Sequence, residues 1–295
     1  MSLFQSSQAT IDREAATRGE SQVIVGDALK VLPQLQPESH RLCVTSPPYW
    51  GLRDYGVPRE AQIGAEETVD EYVVHIVRVF REVRRVLTED GTLWLNIGDS
   101  YTSGNRRWRA SDRKNPARGM SYRPATPEGL KPKDLVGVPW RVAFALQQDG
   151  WYLRSDIVWH KPNCQPESVR DRPTRAHEYV FLFSKSSKYF YDYASSRELA
   201  DNGKTRNRRT VWSINTEPYP EAHFATFPPA LVEPCVIAGS EPEDVVLDPF
   251  AGTGTVGRVA IDNGRVFTGV EINAEYAKLC YERTGARINE STPSS

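Results

Sequence analysis

Short runs of apolar residues alternate along this chain with stretches in which apolar residues recur at helical spacing. Runs of this kind, bounded by turn residues, are typical of strands buried in a parallel sheet. Six strands are predicted on this basis, at residues 23–26, 42–45, 92–97, 155–159, 245–248 and 266–271. Helical spacing is clearest from Val73 to Leu87, and helices are also predicted at 28–35 and 139–148. Strands that alternate with helices indicate an α/β fold with a mostly parallel sheet and helices on both faces.

The longest predicted helix has marked ends. The segment Thr68–Glu71 has the pattern of a capping box, in which Thr68 and Glu71 each bond the backbone N–H of the other, so the helix is expected to begin there. The Glu-Asp-Gly sequence at residues 89–91 predicts its end.

The strand at 42–45 runs into the sequence Ser46-Pro47-Pro48-Tyr49-Trp50. Each proline lacks an N–H and restricts the residue before it, so the strand must end in a stiff loop. The Ser46 hydroxyl and the Pro47 carbonyl can accept the two hydrogens of an amino group on a flat ring, while an aromatic side chain stacks on that ring. For a Pro-Pro pair considered alone, an ordinary turn that closes a strand is the alternative.

A second stretch reads as a buried strand, a glycine-rich turn and the start of a helix. It runs from Val245 to Val256, and Glu271 closes the next apolar run. Gly252 to Gly257 also satisfies the Gly-x-Gly-x-x-Gly pattern of dinucleotide-binding enzymes, so an NAD-dependent oxidoreductase is an alternative. Asp248 argues against it, because a carboxylate at this place would repel a pyrophosphate but not a cofactor with a cationic amino group.

Taken together, Ser-Pro-Pro-Tyr at 46–49 and Asp-Pro-Phe-x-Gly-x-Gly-Thr at 248–255 resemble the motifs of the DNA amino-methyltransferases. Enzymes of that family transfer a methyl group from S-adenosylmethionine to the exocyclic nitrogen of adenine or cytosine. The serine form is most similar to the N4-cytosine enzymes. Adenine enzymes usually carry Asp or Asn at the position of Ser46, and an N6-adenine enzyme stays an alternative.

The order of the two motifs resembles the circularly permuted β class, in which the catalytic motif precedes the cofactor motif. The resemblance implies a Rossmann-like fold in which residues 159–183 border the target base and re-enter the sheet as an antiparallel hairpin, near 178–193. It also implies that a helix at 231–238 walls the methionine end of the cofactor pocket. The cofactor loop is expected beside the catalytic loop.

The resemblance implies two sets of site residues. The catalytic residues are Ser46, Pro47, Pro48 and Tyr49. The cofactor-binding residues are Asp27, Phe227, Asp248, Pro249, Phe250, Gly252, Gly254, Thr255, Glu271 and Asn273. No metal is expected, because a methyl group on a sulfonium is already activated.

Three further residues have competing interpretations. Asp27 either lies near the cofactor adenine or caps the following helix, and these two interpretations are compatible. Asp99 ends a strand at the edge where α/β sheets bind ligands, which makes it a candidate site residue. His177 precedes a strand, and we interpret it as a hydrogen-bonded structural residue rather than a general base.

The expected organisation is an N-terminal arm at 1–20 followed by one methyltransferase domain at 21–290. Within that domain, residues 21–193 form the catalytic half and 223–290 the cofactor-binding half. Two basic segments, 101–134 and 194–222, are expected to contact DNA. Residues 104–133 alone carry nine basic and two acidic side chains, although the whole chain has a net charge of only -1.

Composition sets the remaining bounds. The 295 residues are 39% hydrophobic and 25% charged, which is enough to build a core. No apolar run approaches the roughly 20 residues of a membrane helix, and the four cysteines lack metal-ligand spacing. We therefore expect a cytoplasmic protein, and the resemblance implies a bacterial, archaeal or phage origin. The resemblance also implies double-stranded DNA as the partner. Homodimers are common in the class that the chain resembles, so a homodimer is possible.

Overall fold

One nine-stranded sheet carries the loops that matter for function. The structure, a computed structural model, describes residues 15, 19–52, 62–102, 108, 124–200, 202–217 and 227–290. The strands are β1 (Gln22–Val25), β2 (His40–Thr45), β3 (Leu87–Ile97), β4 (Tyr152–His160), β5 (His177–Ser184), β6 (Glu198–Leu199), β7 (Thr205–Arg206), β8 (Val211–Ser213), β9 (Val245–Asp248), β10 (Val266–Glu271) and β11 (Arg287–Glu290).

The strand order in the main sheet is β11-β1-β10-β9-β2-β3-β5-β4-β8, and β6 and β7 form a separate hairpin. Strand β5 is antiparallel to its neighbours β3 and β4, while the other neighbouring pairs of the described sheet are parallel. Strand β2 lies directly beside β9. The prediction of a mostly parallel sheet is confirmed, and the N-terminal and C-terminal parts of the chain meet in its centre.

Helices cover both faces of the sheet. They are α1 (Ala28–Val31), which a 3-10 turn at Leu32–Gln34 extends, α2 (Val69–Val86), α3 (Val138–Gln148), α4 (Pro229–Gly239), α5 (Thr255–Asp262) and α6 (Ala274–Thr284). One buried core contains apolar side chains of α1, α2 and α3, and the other contains those of α4, α5 and α6. Across the described residues, no helix is both long and apolar enough to cross a lipid bilayer.

Helix α2 begins as predicted and ends earlier. The Thr68 hydroxyl accepts the Glu71 N–H at 3.1 Å, and the Glu71 carboxylate accepts the Thr68 N–H at 3.0 Å. The predicted end at 89–91 is wrong, because the helix stops at Val86 and β3 begins with the next residue. The carbonyls of residues 90 and 91 accept backbone N–H groups from the segment after β5, which a helix would not allow.

The predicted hairpin at 178–193 is also only partly right. Strand β5 ends at Ser184, and its hairpin partner is β4, on the N-terminal side of β5. Residues 185–193 leave the sheet. Strand β8, the β6–β7 hairpin, helix α6 and strand β11 were not predicted, since most of them are short and lack a strong apolar pattern.

The capping box of α2 gives a test of the local structure. Thr68→Ala removes the acceptor for the Glu71 N–H, so it should lower the free energy of unfolding by about 1 kcal/mol. Urea denaturation measures this loss. Thr68→Ser keeps the hydroxyl and should stay near wild type, and equal losses in both variants would contradict the assignment of the cap.

Candidate active site

The two motifs meet at the carboxyl edge of the sheet. Strand β2 leads into Ser46 and β9 leads into Pro249, and the pairing of Leu42 with Val246 and Cys43 with Leu247 aligns the two strands. Because parallel strands end at the same edge, the loops that follow them lie side by side, as in other open α/β sheets that bind ligands there. The expected juxtaposition of the two loops is therefore observed.

A buried hydrogen bond joins these loops. The Thr45 hydroxyl donates to Asp248 Oδ1 at 2.6 Å, and the Phe250 N–H donates to the same oxygen at 3.0 Å. Burial raises the pKa of Asp248 to about 7, an effect that the two hydrogen bonds oppose and the nearby charge of Glu271 reinforces. Among the described residues, no donor reaches Asp248 Oδ2.

In the catalytic loop, neighbouring residues hold the backbone in place. The Tyr72 hydroxyl donates to the Pro48 carbonyl at 2.9 Å, whereas no donor from the described part of the chain reaches the Pro47 carbonyl. Trp50 is only 5% exposed, and its indole N–H donates to the Glu66 carbonyl at 3.2 Å. Trp50 is thus a packing residue, so of the two aromatic residues that follow Pro48, Tyr49 is the candidate for stacking on a ring.

The Tyr49 hydroxyl lies at the centre of a polar network. It donates to Glu178 Oε2 at 2.9 Å and lies 3.2 Å from Asn96 Oδ1, while the Ser46 hydroxyl approaches it at 3.4 Å. The ring passes so close to Gly98 that a Cβ there would lie 2.6 Å from Tyr49 Cε2.

Sequence reasoning missed Glu178. It considered the residues that follow parallel strands, whereas Glu178 lies near the start of β5. Because β5 is antiparallel, its first residues lie at the same edge as the last residues of β3, where Ile97 pairs with Tyr179. An acidic residue at the start of an antiparallel strand was the available signal.

The cofactor motif forms a tight turn. Gly254 adopts a left-handed conformation with φ of 80°, and a Cβ there would lie 2.6 Å from Cys280 Sγ. Helix α5 follows at Thr255, whose hydroxyl accepts a hydrogen bond from Arg283 at 2.9 Å. The geometry therefore gives Thr255 a contact with α6.

Glu271 lies at the end of β10 and is 8% exposed. The backbone N–H of Gly252 donates to its Oε2 and that of Asn273 to its Oε1, each at 2.8 Å. Burial raises the pKa of Glu271, and these backbone N–H groups oppose the shift. Asn273 in turn caps α6 by accepting the Glu275 N–H at 2.9 Å.

The remaining predicted residues have identifiable structural contacts. Asp27 caps α1 by accepting the Leu29 N–H at 3.0 Å. The N–H of the preceding residue, Gly26, donates to the Glu271 carbonyl. Phe227 is half-buried and packs against the core of α4 to α6. Pro249 and Phe250 lie in the turn directly after β9.

Asp99 and His177 both have structural partners. Asp99 Oδ1 accepts the N–H groups of Ser100, Gly137 and Val138, each at 2.9 Å, so it orders the start of α3. His177 packs edge-on against Tyr179, and burial lowers its pKa.

Much of the predicted DNA-contacting surface lies outside the described residues. These are positions 103–107 and 109–123 of the first basic segment, and 201 and 218–222 of the second. The N-terminal arm also lies outside them, apart from residues 15, 19 and 20. In the described part of the second segment, Arg206 pairs with Glu198 at 2.8 Å across the β6–β7 hairpin.

The glycine-rich turn after β9 and the buried carboxylate that ends β10 define an α/β protein that binds a nucleoside-containing cofactor. A sequence model of a family described as DNA methylase, the N6/N4 type, matches residues 40–282. The chain belongs to this family, whose members use S-adenosylmethionine. The NAD-dependent alternative is therefore wrong.

Close relatives cover most of the chain. It is 62% identical over 263 residues to Type II methyltransferase M.XycI of Xanthomonas campestris pv. cyanopsidis, covering 89% of this chain and 87% of the relative. It is also 62% identical over 263 residues to Type II methyltransferase M.SmaI of Serratia marcescens, covering 88% of this chain and 89% of that protein.

Solved structures share the fold. PvuII DNA methyltransferase, described as cytosine-N4-specific, superposes with a TM-score of 0.66 at 19% identity, over 94% of this chain and 96% of its own. TTHA0409 of Thermus thermophilus, solved with S-adenosyl-L-methionine, gives a TM-score of 0.60 at 26% identity, over 93% of this chain and 99% of its own.

The cofactor of the family suits the residues present. Each Glu271 oxygen accepts one backbone N–H, which leaves acceptor capacity for ribose hydroxyls. Asp248 Oδ2 suits a cationic amino group, since no described donor reaches it. Among the described residues, no group of three His, Cys, Asp or Glu side chains could hold a metal ion. That the reaction needs no metal stays a prediction.

Proposed function

We propose that the chain is a site-specific DNA methyltransferase that methylates the N4 amine of cytosine and acts in a restriction-modification system. The arrangement that carries this proposal is the Ser46 hydroxyl followed by a Pro47 carbonyl that no described donor reaches. The choice of cytosine over adenine rests on serine at position 46. The type II relatives, at 62% identity, support the restriction-modification role.

The first step is extrusion of the target nucleotide. Inside a duplex the cytosine amine is paired and cannot meet the methyl group in line, so the base must be flipped out at a cost of a few kcal/mol. In our proposal Tyr49 stacks on the flipped ring and Pro48 keeps the loop rigid through its bond from Tyr72.

Ser46 and Pro47 then act on the amine. Its lone pair is delocalised into the ring, which makes it a poor nucleophile. Hydrogen bonds from its two N–H groups to the Ser46 hydroxyl and the Pro47 carbonyl favour a more tetrahedral nitrogen. They strengthen as positive charge develops there, so they stabilise the transition state more than the ground state. No strong base is required before attack, because the proton can leave afterwards.

S-adenosylmethionine, when bound, supplies a methyl group on a sulfonium. We propose that Glu271 accepts hydrogen bonds from its ribose hydroxyls, with Asp27 near the adenine. Asp248 would pair with the cationic amino group, while Gly252 and Gly254 let the backbone approach. Phe227, Pro249, Phe250, Thr255 and Asn273 would line or support this pocket.

DNA contacts are assigned by charge. The basic segments 101–134 and 194–222 would bind phosphates and position the duplex, a role in which lysine and arginine contribute affinity without sequence information. Because the substrate is DNA and the relatives are bacterial, we place the enzyme in the bacterial cytoplasm.

Ser46→Ala tests the chemical step. Loss of one transition-state hydrogen bond should lower turnover by about 10- to 1,000-fold with DNA affinity nearly unchanged. Ser186→Ala is the matched control, because Ser186 lies past the end of β5 at the opposite edge of the sheet and its hydroxyl donates locally, to the Lys188 carbonyl. Turnover in Ser46→Ala equal to that of this control would remove Ser46 from the mechanism.

Mass spectrometry of digested product DNA tests the identity of the base. The wild-type enzyme is expected to form N4-methylcytosine. N6-methyladenine as the only product would overturn the assignment based on Ser46 and leave the family assignment intact.

The raised pKa of Asp248 predicts a pH dependence of cofactor binding. Below about pH 7 this carboxyl group holds a proton, which a cationic amino group must displace. The dissociation constant for S-adenosylmethionine should therefore rise as pH falls through about 7, approaching about tenfold per pH unit. Isothermal titration across this pH measures the change.

Asp248→Asn is the control for that titration. It keeps an oxygen that can accept from Thr45 but cannot ionise, so its affinity should be weaker than that of the wild type at alkaline pH and nearly independent of pH. A wild-type affinity that is constant or improves on acidification would contradict the proposed contact.

A further inference from the structure

A salt bridge lies behind the tyrosine of the catalytic loop. Glu178 Oε1 accepts a hydrogen bond from the Lys161 ammonium group, and its Oε2 accepts from the Tyr49 hydroxyl at 2.9 Å. We propose that Glu178 is a positioning residue for methyl transfer: it fixes the Tyr49 ring in the orientation that receives the flipped base. This inference rests on the proposed function, because it takes Tyr49 as the surface on which the base stacks.

The ring is held at two places. One side lies against Gly98, where any side chain would clash with it, and the hydroxyl at its tip is bonded to Glu178. A phenol ring fixed by packing alone can still tilt about its axis. The hydroxyl contact removes this freedom, and positioning a reacting group in advance lowers the barrier to its reaction.

A carboxylate suits this task better than a neutral acceptor. Hydrogen bonds to an ionised acceptor are roughly twice as strong as neutral ones. The Tyr49 hydroxyl has one hydrogen, and in the described part of the chain it can donate this hydrogen to Glu178 at 2.9 Å or to Asn96 at 3.2 Å. The shorter contact, to the charged carboxylate, therefore determines where the hydroxyl points. Asn96 Nδ2 supports Glu178 by donating to the same oxygen, Oε2, at 3.4 Å.

Lys161 stabilises the carboxylate at this depth. The side chains of Glu178 and Lys161 are only 18% and 17% exposed, and a charge at such a place requires a partner. The ammonium group also lies 4.1 Å from the centre of the Trp159 ring, whose indole N–H is bonded to the Ile214 carbonyl at 2.8 Å. Lys161 is therefore fixed from two sides and in turn fixes Glu178.

Replacement by glutamine should break this arrangement without changing its volume. In Glu178→Gln, the Lys161 ammonium group can only donate hydrogen bonds, so it bonds the amide oxygen. The amide NH2 group then faces the Tyr49 hydroxyl. The tyrosine then loses its charged acceptor. Tyr49→Phe removes the hydroxyl from the other side of the same contact and keeps the ring.

A double-mutant cycle tests the proposal. Single-turnover methylation of unmodified genomic DNA, with enzyme in excess over target sites, is measured for Glu178→Gln, Tyr49→Phe and the double variant. Each single variant should lower the rate about 10-fold. The double variant should also lose about 10-fold rather than about 100-fold, because both changes remove the same interaction.

Two controls separate positioning from general damage. The affinity for S-adenosylmethionine and the melting temperature should stay near wild type in Tyr49→Phe. Glu82→Gln breaks a comparable pair, with Arg85 at 2.7 Å on α2 and away from the site, and should methylate at the wild-type rate.

The opposing results are distinct. A double variant whose rate falls about 100-fold would show that Glu178 acts independently of Tyr49, and this result would overturn the proposal. A wild-type rate in either single variant would do the same. If Glu178→Gln does not fold, the single-turnover rate of Tyr49→Phe tests the proposal, because that rate must still fall about 10-fold. The product base is identified in the same wild-type samples, so a failure of the cytosine assignment is recognised separately.

Discussion

The candidate active site depends on the contact between β2 and β9, across which the Thr45 hydroxyl bonds Asp248 at 2.6 Å. The two residues are 203 positions apart in the chain. Through this bond, the last residue of the catalytic strand holds the carboxylate that begins the cofactor turn. A small shift between the two strands would separate the proposed amine acceptors, Ser46 and Pro47, from the glycine-rich turn, and misplacement by about 1 Å can cost about 100-fold in rate.

Burial of acidic groups at the junction of β2 and β9 connects stability with function. The pKa values of Asp248 and Glu271 are both raised, mainly because their carboxyl groups are removed from water. A raised pKa favours the protonated form in the folded chain, so the buried Asp248 costs folding free energy that accumulates as pH rises from its ordinary pKa of 3.8 through about 7. A cationic ligand next to Asp248 would offset that cost. Strongly shifted pKa values in a cleft are typical of functional sites.

Local patterns predicted much of the fold and of the candidate site. The strands at 245–248 and 266–271 and the capping box at Thr68 were predictable because runs of apolar residues and cap residues act over a few positions. The helix end at Val86 was not, because the chain there bonds to the segment after β5, about 100 residues further on. Glu178 was missed for the same reason, since only the antiparallel register of β5 brings it to Tyr49.

The most direct test of the junction is Thr45→Val, with S-adenosylmethionine binding measured by isothermal titration across the same pH range as the wild type. The Thr45 hydroxyl stabilises the ionised form of Asp248, so its loss should raise that pKa further. We expect the pH at which affinity falls to move upward and methylation at neutral pH to weaken with it. Binding curves for variant and wild type that superimpose at every pH would contradict the account.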